Sequence, residues 1–192
     1  ITVVTKDPKY HFVPSNPWIA VGWREREDIS VDLAPTMEKK GIGFITVPAQ
    51  KLHPEENRLE LVDGQSISYD FLIIATGPEL AFDEIEGLGP DGHTQSICHI
   101  DHAEKARAAF DAFCKNPGPI VVGAVQGASC YGPAYEFTFI LESALRKLKI
   151  RDKVFLATKY QSRGTDRAAK IASMQASQKR LRTQKFDLMQ AW

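Results

Sequence analysis

The sequence predicts an α/β fold built around a parallel sheet. Two runs, residues 71–75 and 120–122, are apolar at every position, and each stops at a turn that contains glycine. Such runs are typical of strands that are buried on both faces of a parallel sheet. Segments with helical spacing alternate with the strands, which favours parallel pairing through helical connections. A chain of 192 residues is long enough for one domain with a sizeable core or for two small ones.

Short strands and turns fill the first seventy residues. Residues 14–17 contain two prolines and are predicted to form a loop. Residues 33–40 have the length of a short helix, and Gly41 supplies the residue type at which such helices end. The Asp63-Gly64 pair predicts a hairpin turn. The segments with the β-branched or alternating pattern of strands are residues 1–4, 44–52 and 58–61.

Two longer helices and one further strand are predicted in the second half. Residues 100–114 and 135–149 carry apolar residues at helical spacing, on either side of the strand at residues 120–122. Residues 154–157 have the length and composition of another strand. The apolar positions are Ala103, Ala106, Phe110 and Phe113 in the first helix, and Phe139, Ile140, Ala144 and Leu148 in the second.

Equal numbers of acidic and basic residues, 24 of each, conceal an uneven distribution along the chain. Ten Lys and Arg but only three Asp and Glu follow residue 150, and such asymmetry usually marks a tail or a change of module. We interpret residues 163–192 as a solvated basic helix or a disordered tail. The alternative is contact with a membrane surface or a nucleic acid, which one weak stripe does not establish, and we expect no nucleic-acid partner. No apolar run approaches the roughly 20 residues that span a bilayer. The tail residues at weak helical spacing are Ile171, Met174, Leu181, Leu188 and Trp192.

A glycine-rich turn follows the second apolar run. Its glycines, Gly123, Gly127 and Gly132, have the spacing Gly-x3-Gly-x4-Gly, which does not match the GxGxxG of dinucleotide-binding turns. Cys130 lies in this turn at the predicted N-terminus of a helix, where the helix dipole stabilises a thiolate. The alternative is that Cys130 is a small apolar residue that packs the turn.

Cys98 lies in a short segment that also contains His99, Asp101 and His102. No second cluster supplies the remaining ligands of a metal site, so we predict none. Cys98 is interpreted either as a buried structural residue or as a redox partner of Cys130.

Several further residues carry weaker signals. Thr76 and Gly77 follow the first apolar run, at the sheet edge where open α/β folds bind ligands. Trp18 and Trp23 are of a type that lines flat aromatic ligands, although core packing is the usual role of such residues. The residues interpreted as incidental or as surface residues are Cys114, His11 and His53.

Four stretches together resemble sulfide:quinone oxidoreductase, a bacterial flavoprotein of the pyridine nucleotide-disulfide oxidoreductase superfamily. The contexts of the two cysteines, Gln-Ser-Ile-Cys and Gly-Ala-Ser-Cys-Tyr-Gly-Pro-Ala-Tyr-Glu, are the most specific of the four. The similarity extends from about residue 1 to about residue 154. The matching stretches are residues 12–18, 69–78, 95–98 and 127–136.

The resemblance implies two partial Rossmann-like domains of the FAD/NAD(P)-binding type, with parallel sheets and incomplete at both ends. Residues 1–95 would form a partial FAD-binding domain. Residues 96–157 would form a partial second domain that carries the redox cysteine, and residues 158–192 a basic tail outside the family pattern. The implied activity is oxidation of sulfide to polysulfide sulfur, with electrons passed through FAD to a membrane quinone.

The resemblance also implies roles for individual residues. Cys130 would be the redox cysteine that carries persulfide sulfur beside the flavin, and Cys98 would be an accessory cysteine. The implied FAD-binding residues are Thr5 and Asp7 at the adenosine ribose, Ala49 at the adenine, Thr76 and Gly77 close to the FAD, and Pro14, Ser15 and Asn16 near the flavin.

Several parts of the family pattern have no match in these residues, including the quinone pocket and the C-terminal membrane-binding helices. The GxGxxG turn for the FAD pyrophosphate would precede Ile1, and a third family cysteine would follow the last residue. We therefore expect a fragment that binds FAD weakly or not at all by itself. For the parent protein the resemblance implies peripheral association with the bacterial inner membrane and allows a homo-oligomer.

Three alternatives stay open at this point. The flavoprotein subunit of flavocytochrome c sulfide dehydrogenase would use a cytochrome acceptor, although the Phe-Val-Pro-Ser-Asn-Pro-Trp stretch argues against it. An NADH:quinone oxidoreductase would need a working nucleotide turn in the second domain. The last alternative is a non-catalytic remnant whose basic tail binds an acidic partner.

Overall fold

The computed structural model describes residues 1–125, 132–154 and 156–160, together with 168, 171–172, 175–176, 179 and 188–191. The chain divides into two compact units. Unit 1 consists of Ile1–Phe12 and Arg26–Leu88, and unit 2 of Val13–Glu25 and Gly89–Trp192. The domain bounds predicted above, 1–95, 96–157 and 158–192, stay a prediction.

Strands and helices alternate irregularly along the described chain. In chain order the strands are β1 (Thr2–Val4), β2 (Lys9–His11), β3 (Ser30–Asp32), β4 (Gly43–Ile45), β5 (Ala49–His53), β6 (Arg58–Leu61), β7 (Ser66–Ser68), β8 (Ile120–Val121), β9 (Leu156–Tyr160) and β10 (Leu188–Ala191). The α-helices are α1 (Asn16–Ala20), α2 (Ala34–Lys39), α3 (Ile100–Lys115) and α4 (Gly132–Lys147).

Unit 1 contains three small groups of strands. Strands β1 and β4 pair in parallel, β2 and β3 pair antiparallel, and β5, β6 and β7 form an antiparallel sheet in that order. The predicted hairpin at Asp63-Gly64 is confirmed, because it joins β6 to β7 and Gly64 has a φ of 83°. The predicted helix at 33–40 is confirmed as α2.

The strand predicted at residues 44–52 is two strands in the structure. Strand β4 ends at Ile45 and β5 begins at Ala49. Pro48 lies between them and has no backbone N–H to give to a ladder. Its carbonyl oxygen instead accepts a hydrogen bond from Val62 N at 3.0 Å. The interruption lets the chain leave the β1–β4 pair and enter the antiparallel sheet.

The apolar run at residues 71–75 is not the buried strand that the sequence predicts. It pairs with no described strand, and Phe71 and Ile73 are 94% and 88% exposed. A buried strand requires neighbours that supply both backbone hydrogen bonds and covering side chains. Apolar composition alone does not supply them.

Unit 2 contains the parallel sheet that the sequence predicts. Strands β8 and β9 pair in parallel on either side of α4 in the sequence, and β10 adds to β9, also in parallel. The prediction of burial on both faces is wrong for β8, since Val121 is 80% exposed. The strand predicted at residues 154–157 corresponds to β9, which begins two residues later than predicted.

The basic tail is described only in part. Leu188, which helical spacing placed on a helix, begins strand β10. Met174, Leu181 and Trp192 lie outside the described residues.

The core of unit 2 is built by α1, α3 and α4. Residues 14–17, predicted as a loop, instead form part of a short 3₁₀ helix, Val13–Ser15, and the start of α1. Proline is compatible with the first turn of a helix, where its missing N–H has no acceptor. The buried cluster consists of Val21, Phe110, Ile140, Leu141, Ala144, Leu145 and Val154.

The predicted apolar stripes agree well with this core. Ala103, Ala106 and Phe110 of α3 are buried, and Phe113 packs against the cluster. In α4, Ile140 and Ala144 are buried, whereas Leu148 follows the last helical residue and is exposed.

A turn at Gly22 follows α1. Gly22 has a φ of 72°, a conformation that residues with a Cβ rarely adopt. A Cβ placed on Gly22 would lie 1.7 Å from Nη1 of Arg107 on α3. The turn therefore brings the backbone that follows α1 close to the Arg107 side chain.

None of the described helices is long and apolar enough to cross a membrane.

Candidate functional site

The chain makes a hydrogen-bonded turn directly after β1, at the carboxyl end of the parallel pair β1–β4. Thr5 Oγ1 donates to the carbonyl oxygen of Asp7 at 3.1 Å and accepts from Asp7 N at 3.2 Å. Asp7 Oδ1 accepts from Lys9 N at 2.9 Å. The structure thus brings together Thr5 and Asp7, two of the predicted FAD-binding residues, at the edge where open α/β sheets bind ligands.

His11 on β2 connects this turn to β3. Its Nε2 lies 3.1 Å from Asp7 Oδ2, and its Nδ1 lies 2.8 Å from Ser30 Oγ. The Ser30 hydroxyl also donates to the carbonyl oxygen of Arg26 at 2.6 Å. His11 is therefore a half-buried link between strands. The interpretation of His11 as a lone surface residue is wrong.

Hydrogen bonding lowers the pKa of the Asp7 carboxyl. The largest cause is the backbone N–H of Lys9, followed by the hydrogen bond and charge of His11. A carboxyl whose pKa is lowered in the folded state stabilises that state above its ordinary pKa, and this contribution disappears as the pH falls through the lowered value.

We expect Asp7→Asn to weaken the β2–β3 pair at neutral pH. Backbone amides of Lys9–His11 should exchange with solvent about three- to fivefold faster at pH 7, because the variant loses the partly exposed carboxylate charge that strengthens the hydrogen bonds of Asp7. The difference from the unaltered chain should shrink as the pH falls below about 4, where the Asp7 carboxyl takes up a proton and, like asparagine, carries no charge. Hydrogen exchange measured by mass spectrometry tests this, with Glu38→Gln on α2 as the control. A difference that persists at pH 2.5 would contradict it.

Three other predicted FAD-binding residues lie on exposed parts of unit 1. Ala49 is the first residue of β5, and Thr76 and Gly77 follow the apolar run. Gly77 has a φ of 76°, and the space where a Cβ would stand holds no atom within 4 Å. The Gly77 backbone is therefore open to close approach by a ligand.

The predicted flavin-side residues Pro14, Ser15 and Asn16 lie at the start of α1 in unit 2. Pro14 is exposed, whereas Ser15 and Asn16 are buried. Asn16 Nδ2 donates to the carbonyl oxygen of Ile97 at 3.0 Å. The structure therefore brings Asn16 next to the residue that precedes Cys98, a contact across 81 residues of sequence.

Cys98 is a free and exposed cysteine. Its backbone N–H donates to Ser96 Oγ at 3.2 Å. Exposure rules out the interpretation of Cys98 as a buried structural residue. Cys114 is half-buried, and burial raises the pKa of its thiol, which disfavours the reactive thiolate. Cys130 lies outside the described residues.

The histidines next to Cys98 face each other. The rings of His99 and His102 are stacked with their centroids 5.2 Å apart. Burial lowers the pKa of His102, and the nearby His99 lowers it further. Within the residues that the structure describes, no group of three or more His, Cys, Asp or Glu could hold a metal ion.

Two tryptophans of unit 2, Trp18 and Trp23, contact cations. Trp18 packs against the core cluster, and the Arg24 guanidinium lies 4.7 Å from its ring centre. Lys147 Nζ lies 3.9 Å from the ring centre of Trp23. Core packing accounts for Trp18, as is usual for such residues.

Comparison with curated proteins finds sulfide:quinone oxidoreductases among the relatives of the chain. Sulfide-quinone reductase of Aquifex aeolicus is 43% identical over 154 residues, which are 80% of this chain and 35% of that protein. The mitochondrial sulfide:quinone oxidoreductase of Dictyostelium discoideum is 30% identical over 162 residues, 81% of this chain and 35% of that protein. The chain thus spans about 35% of the length of these relatives. No family model matches the chain.

Solved structures agree with the curated relatives. The crystal structure of the sulfide:quinone oxidoreductase from Aquifex aeolicus matches with a TM-score of 0.84 at 37% identity, over all of this chain and 44% of that one. NDH2 from Plasmodium falciparum matches with a TM-score of 0.67 at 16% identity, over 99% of this chain and 42% of that one, and shares the fold alone. The resemblance to sulfide:quinone oxidoreductase and the partial Rossmann-like α/β fold are confirmed.

Proposed function

We propose that this chain is part of an enzyme that oxidises sulfide to polysulfide sulfur and passes the electrons to a membrane quinone. The observation that carries the proposal is the 43% identity, over four-fifths of the chain, to a protein named sulfide-quinone reductase. An exposed free thiol at Cys98, next to a segment predicted to lie near a flavin, supports the same chemistry.

The cofactor of the proposed enzyme is FAD. Residues of unit 1 fit a dinucleotide, because Gly77 leaves open space beside its backbone and the Thr5–Asp7 turn presents polar groups at a sheet edge. Each carboxylate oxygen of Asp7 keeps a lone pair that can accept a hydrogen bond from a ribose hydroxyl. The Ala49 backbone would face the adenine, Thr76 would lie beside Gly77 close to the FAD, and Pro14, Ser15 and Asn16 would lie near the flavin.

The two cysteines, Cys130 and Cys98, would bind and transfer the sulfur of the substrate. Joining the sulfur of sulfide to the Cys130 sulfur forms one S–S bond, releases two electrons and sends the protons of both sulfur groups to solvent. FAD, when bound, supplies the two-electron acceptor that this bond formation requires. Attack of a further sulfide on the outer sulfur of the Cys130 persulfide releases a two-sulfur anion and regenerates the Cys130 thiolate, whereas transfer of that sulfur to Cys98 moves it without lengthening the sulfur chain. Each sulfur added beyond this step requires another two-electron oxidation.

The partners of the parent protein follow from the same proposal. Its reduced cofactor would be reoxidised by a quinone in the bacterial inner membrane, which requires peripheral association with that membrane. Self-association of the parent protein is part of the proposal.

An assay of the gene product that contains these residues tests the function. We expect sulfide-dependent reduction of a short-chain quinone in the presence of FAD, with polysulfide as the product. Reduction of cytochrome c in place of quinone would favour the flavocytochrome alternative. Absence of sulfide oxidation with either acceptor would overturn the proposal.

Flavin binding can be tested at one backbone position. We expect Gly77→Val in the same gene product to lower the retained FAD at least tenfold, because the added side chain would fill the open space beside the backbone. Gly41→Val is the matched control, since Gly41 also has a positive φ, 64°, and open space around it. Both variants carry the same backbone strain. Equal flavin retention in the two variants would contradict a role for Gly77.

A further inference from the structure

Burial of the Asn16 side chain at this position lowers the stability of the folded state. The side chain is 0% exposed, its Nδ2 makes one hydrogen bond to Ile97, and its Oδ1 is buried without a hydrogen-bond partner. A buried acceptor without a partner costs at least as much as one hydrogen bond returns. A leucine of similar size would avoid that cost. The contribution of Asn16 therefore lies in the geometry that its one hydrogen bond imposes.

That hydrogen bond holds one side of a single peptide group. The carbonyl of Ile97 and the N–H of Cys98 belong to the same planar unit. The carbonyl accepts from Asn16 Nδ2 at 3.0 Å, and the N–H donates to Ser96 Oγ at 3.2 Å. Both ends of this peptide plane are thus fixed, one by α1 and one by the neighbouring serine.

The chain after Cys98 is fixed as well. The carbonyl of His99 accepts from Ala103 N at 2.9 Å, which begins the hydrogen-bonded turns of α3. Cys98 therefore lies between a fixed peptide plane and the start of a 16-residue helix, while its own side chain is exposed. These two constraints restrict the directions that the Cα–Cβ bond of Cys98 can take.

We infer that Asn16 is a positioning residue for the Cys98 thiol and acts by orienting the Ile97–Cys98 peptide. This rests on the proposed function in one respect, since the use of an oriented thiol there is sulfur transfer. Asn16 itself contacts neither sulfur nor substrate in this role.

Two substitutions in the 192-residue chain separate positioning from stability. Asn16→Leu removes both the hydrogen bond and the buried Oδ1. We expect its thermal midpoint, followed by tryptophan fluorescence of unit 2, to be unchanged or higher. The Cys98 amide should nevertheless exchange about fivefold faster or more, the factor that the loss of one typical hydrogen bond gives. Asn116→Leu, at an exposed position after α3, is the matched control.

Asn16→Asp adds a test by pH. An ionised carboxylate cannot donate to the Ile97 carbonyl, whereas a protonated carboxyl can replace Nδ2 as donor. We expect the exchange rate of the Cys98 amide, as a ratio to the unaltered chain, to be high at pH 8 and to return toward one at acidic pH. The ratio in Asn16→Leu should stay high at every pH.

Thiol labelling supplies an internal control. Cys98 and Cys114 fall in different tryptic peptides, so their labelling rates can be followed separately in one sample. We expect only the Cys98 rate to change in the Asn16 variants. Equal changes in the labelling rate of Cys114 would overturn the inference, as would an exchange rate of the Cys98 amide that Asn16→Leu leaves unaltered.

All of these measurements omit sulfide and quinone. An inactive gene product with the expected exchange pattern would therefore count against the proposed function alone.

Discussion

Replacing Glu142 by alanine should lower the free energy of unfolding of unit 2 by about 3 kcal/mol, as expected when one partner of a buried ion pair is removed. Glu142 is a buried carboxylate in α4. Its Oε1 accepts from Arg146 Nε one turn further along the helix and lies 3.8 Å from Arg151 Nε. The substitution removes the negative charge that both guanidinium groups approach.

The cost arises mainly at Arg151. Its side chain is only 13% exposed, whereas that of Arg146 is 47% exposed and can turn to water. Arg151 Nη1 also donates to the carbonyl oxygen of Val154 at 3.1 Å, and Val154 belongs to the core cluster. Loss of Glu142 therefore leaves a positive charge next to the core with less compensation, and burial makes that costly.

Unit 2 can be followed selectively in this experiment. All three tryptophans fall within it, so urea unfolding monitored by fluorescence reports on this unit. Glu136→Ala is the matched control, because Glu136 is exposed on the same helix, and its effect should stay within about 0.5 kcal/mol. A loss of less than about 1 kcal/mol for Glu142→Ala would show that this ion pair is no more stabilising than a surface one.

The second large effect concerns Cys130. We expect Cys130→Ser in the gene product to lower sulfide-dependent quinone reduction about a thousandfold or more, on the scale of losing a covalent nucleophile. A serine hydroxyl cannot form the S–S bond that holds the sulfur removed from sulfide. Flavin content and the flavin absorption spectrum should be unchanged, which would place the loss in the sulfur chemistry.

Cys114→Ser is the matched control for this loss. Cys114 is half-buried on α3, and the raised pKa of its thiol keeps it protonated, so its replacement should leave the activity unchanged. Cys98→Ser should give a smaller loss than Cys130→Ser, as expected for an accessory cysteine. Intact sulfide oxidation in Cys130→Ser would instead favour the non-catalytic alternative.

Local patterns predicted α2, α3, α4 and the hairpin, but not α1. The stripe of Ala103, Ala106 and Phe110 and the Asp63-Gly64 turn depend on neighbours within a few residues. The error at residues 14–17 had a local cause too, since proline suits both a loop and the first turn of a helix.

Contacts between distant residues explain what the sequence could not predict. The His11–Ser30 hydrogen bond joins residues 19 apart, and the Asn16–Ile97 hydrogen bond joins residues 81 apart. Nothing in the residues around His11 indicated its contact with Ser30. For the Asn16–Ile97 contact, the resemblance implied the region of Asn16 and Cys98, but the pairing of their segments needed the fold.

The apolar run at residues 71–75 has a consequence for the behaviour of the chain in concentrated solution. Phe71, Ile73 and Ile74 present a row of exposed β-branched and aromatic side chains on backbone that no described strand pairs with. Unpaired apolar backbone is a template on which another chain can add its own strand. Residues 71–75, whose composition suits the middle of a sheet, are thus a site of edge-to-edge self-association when they are uncovered. The stability measurements therefore require dilute protein.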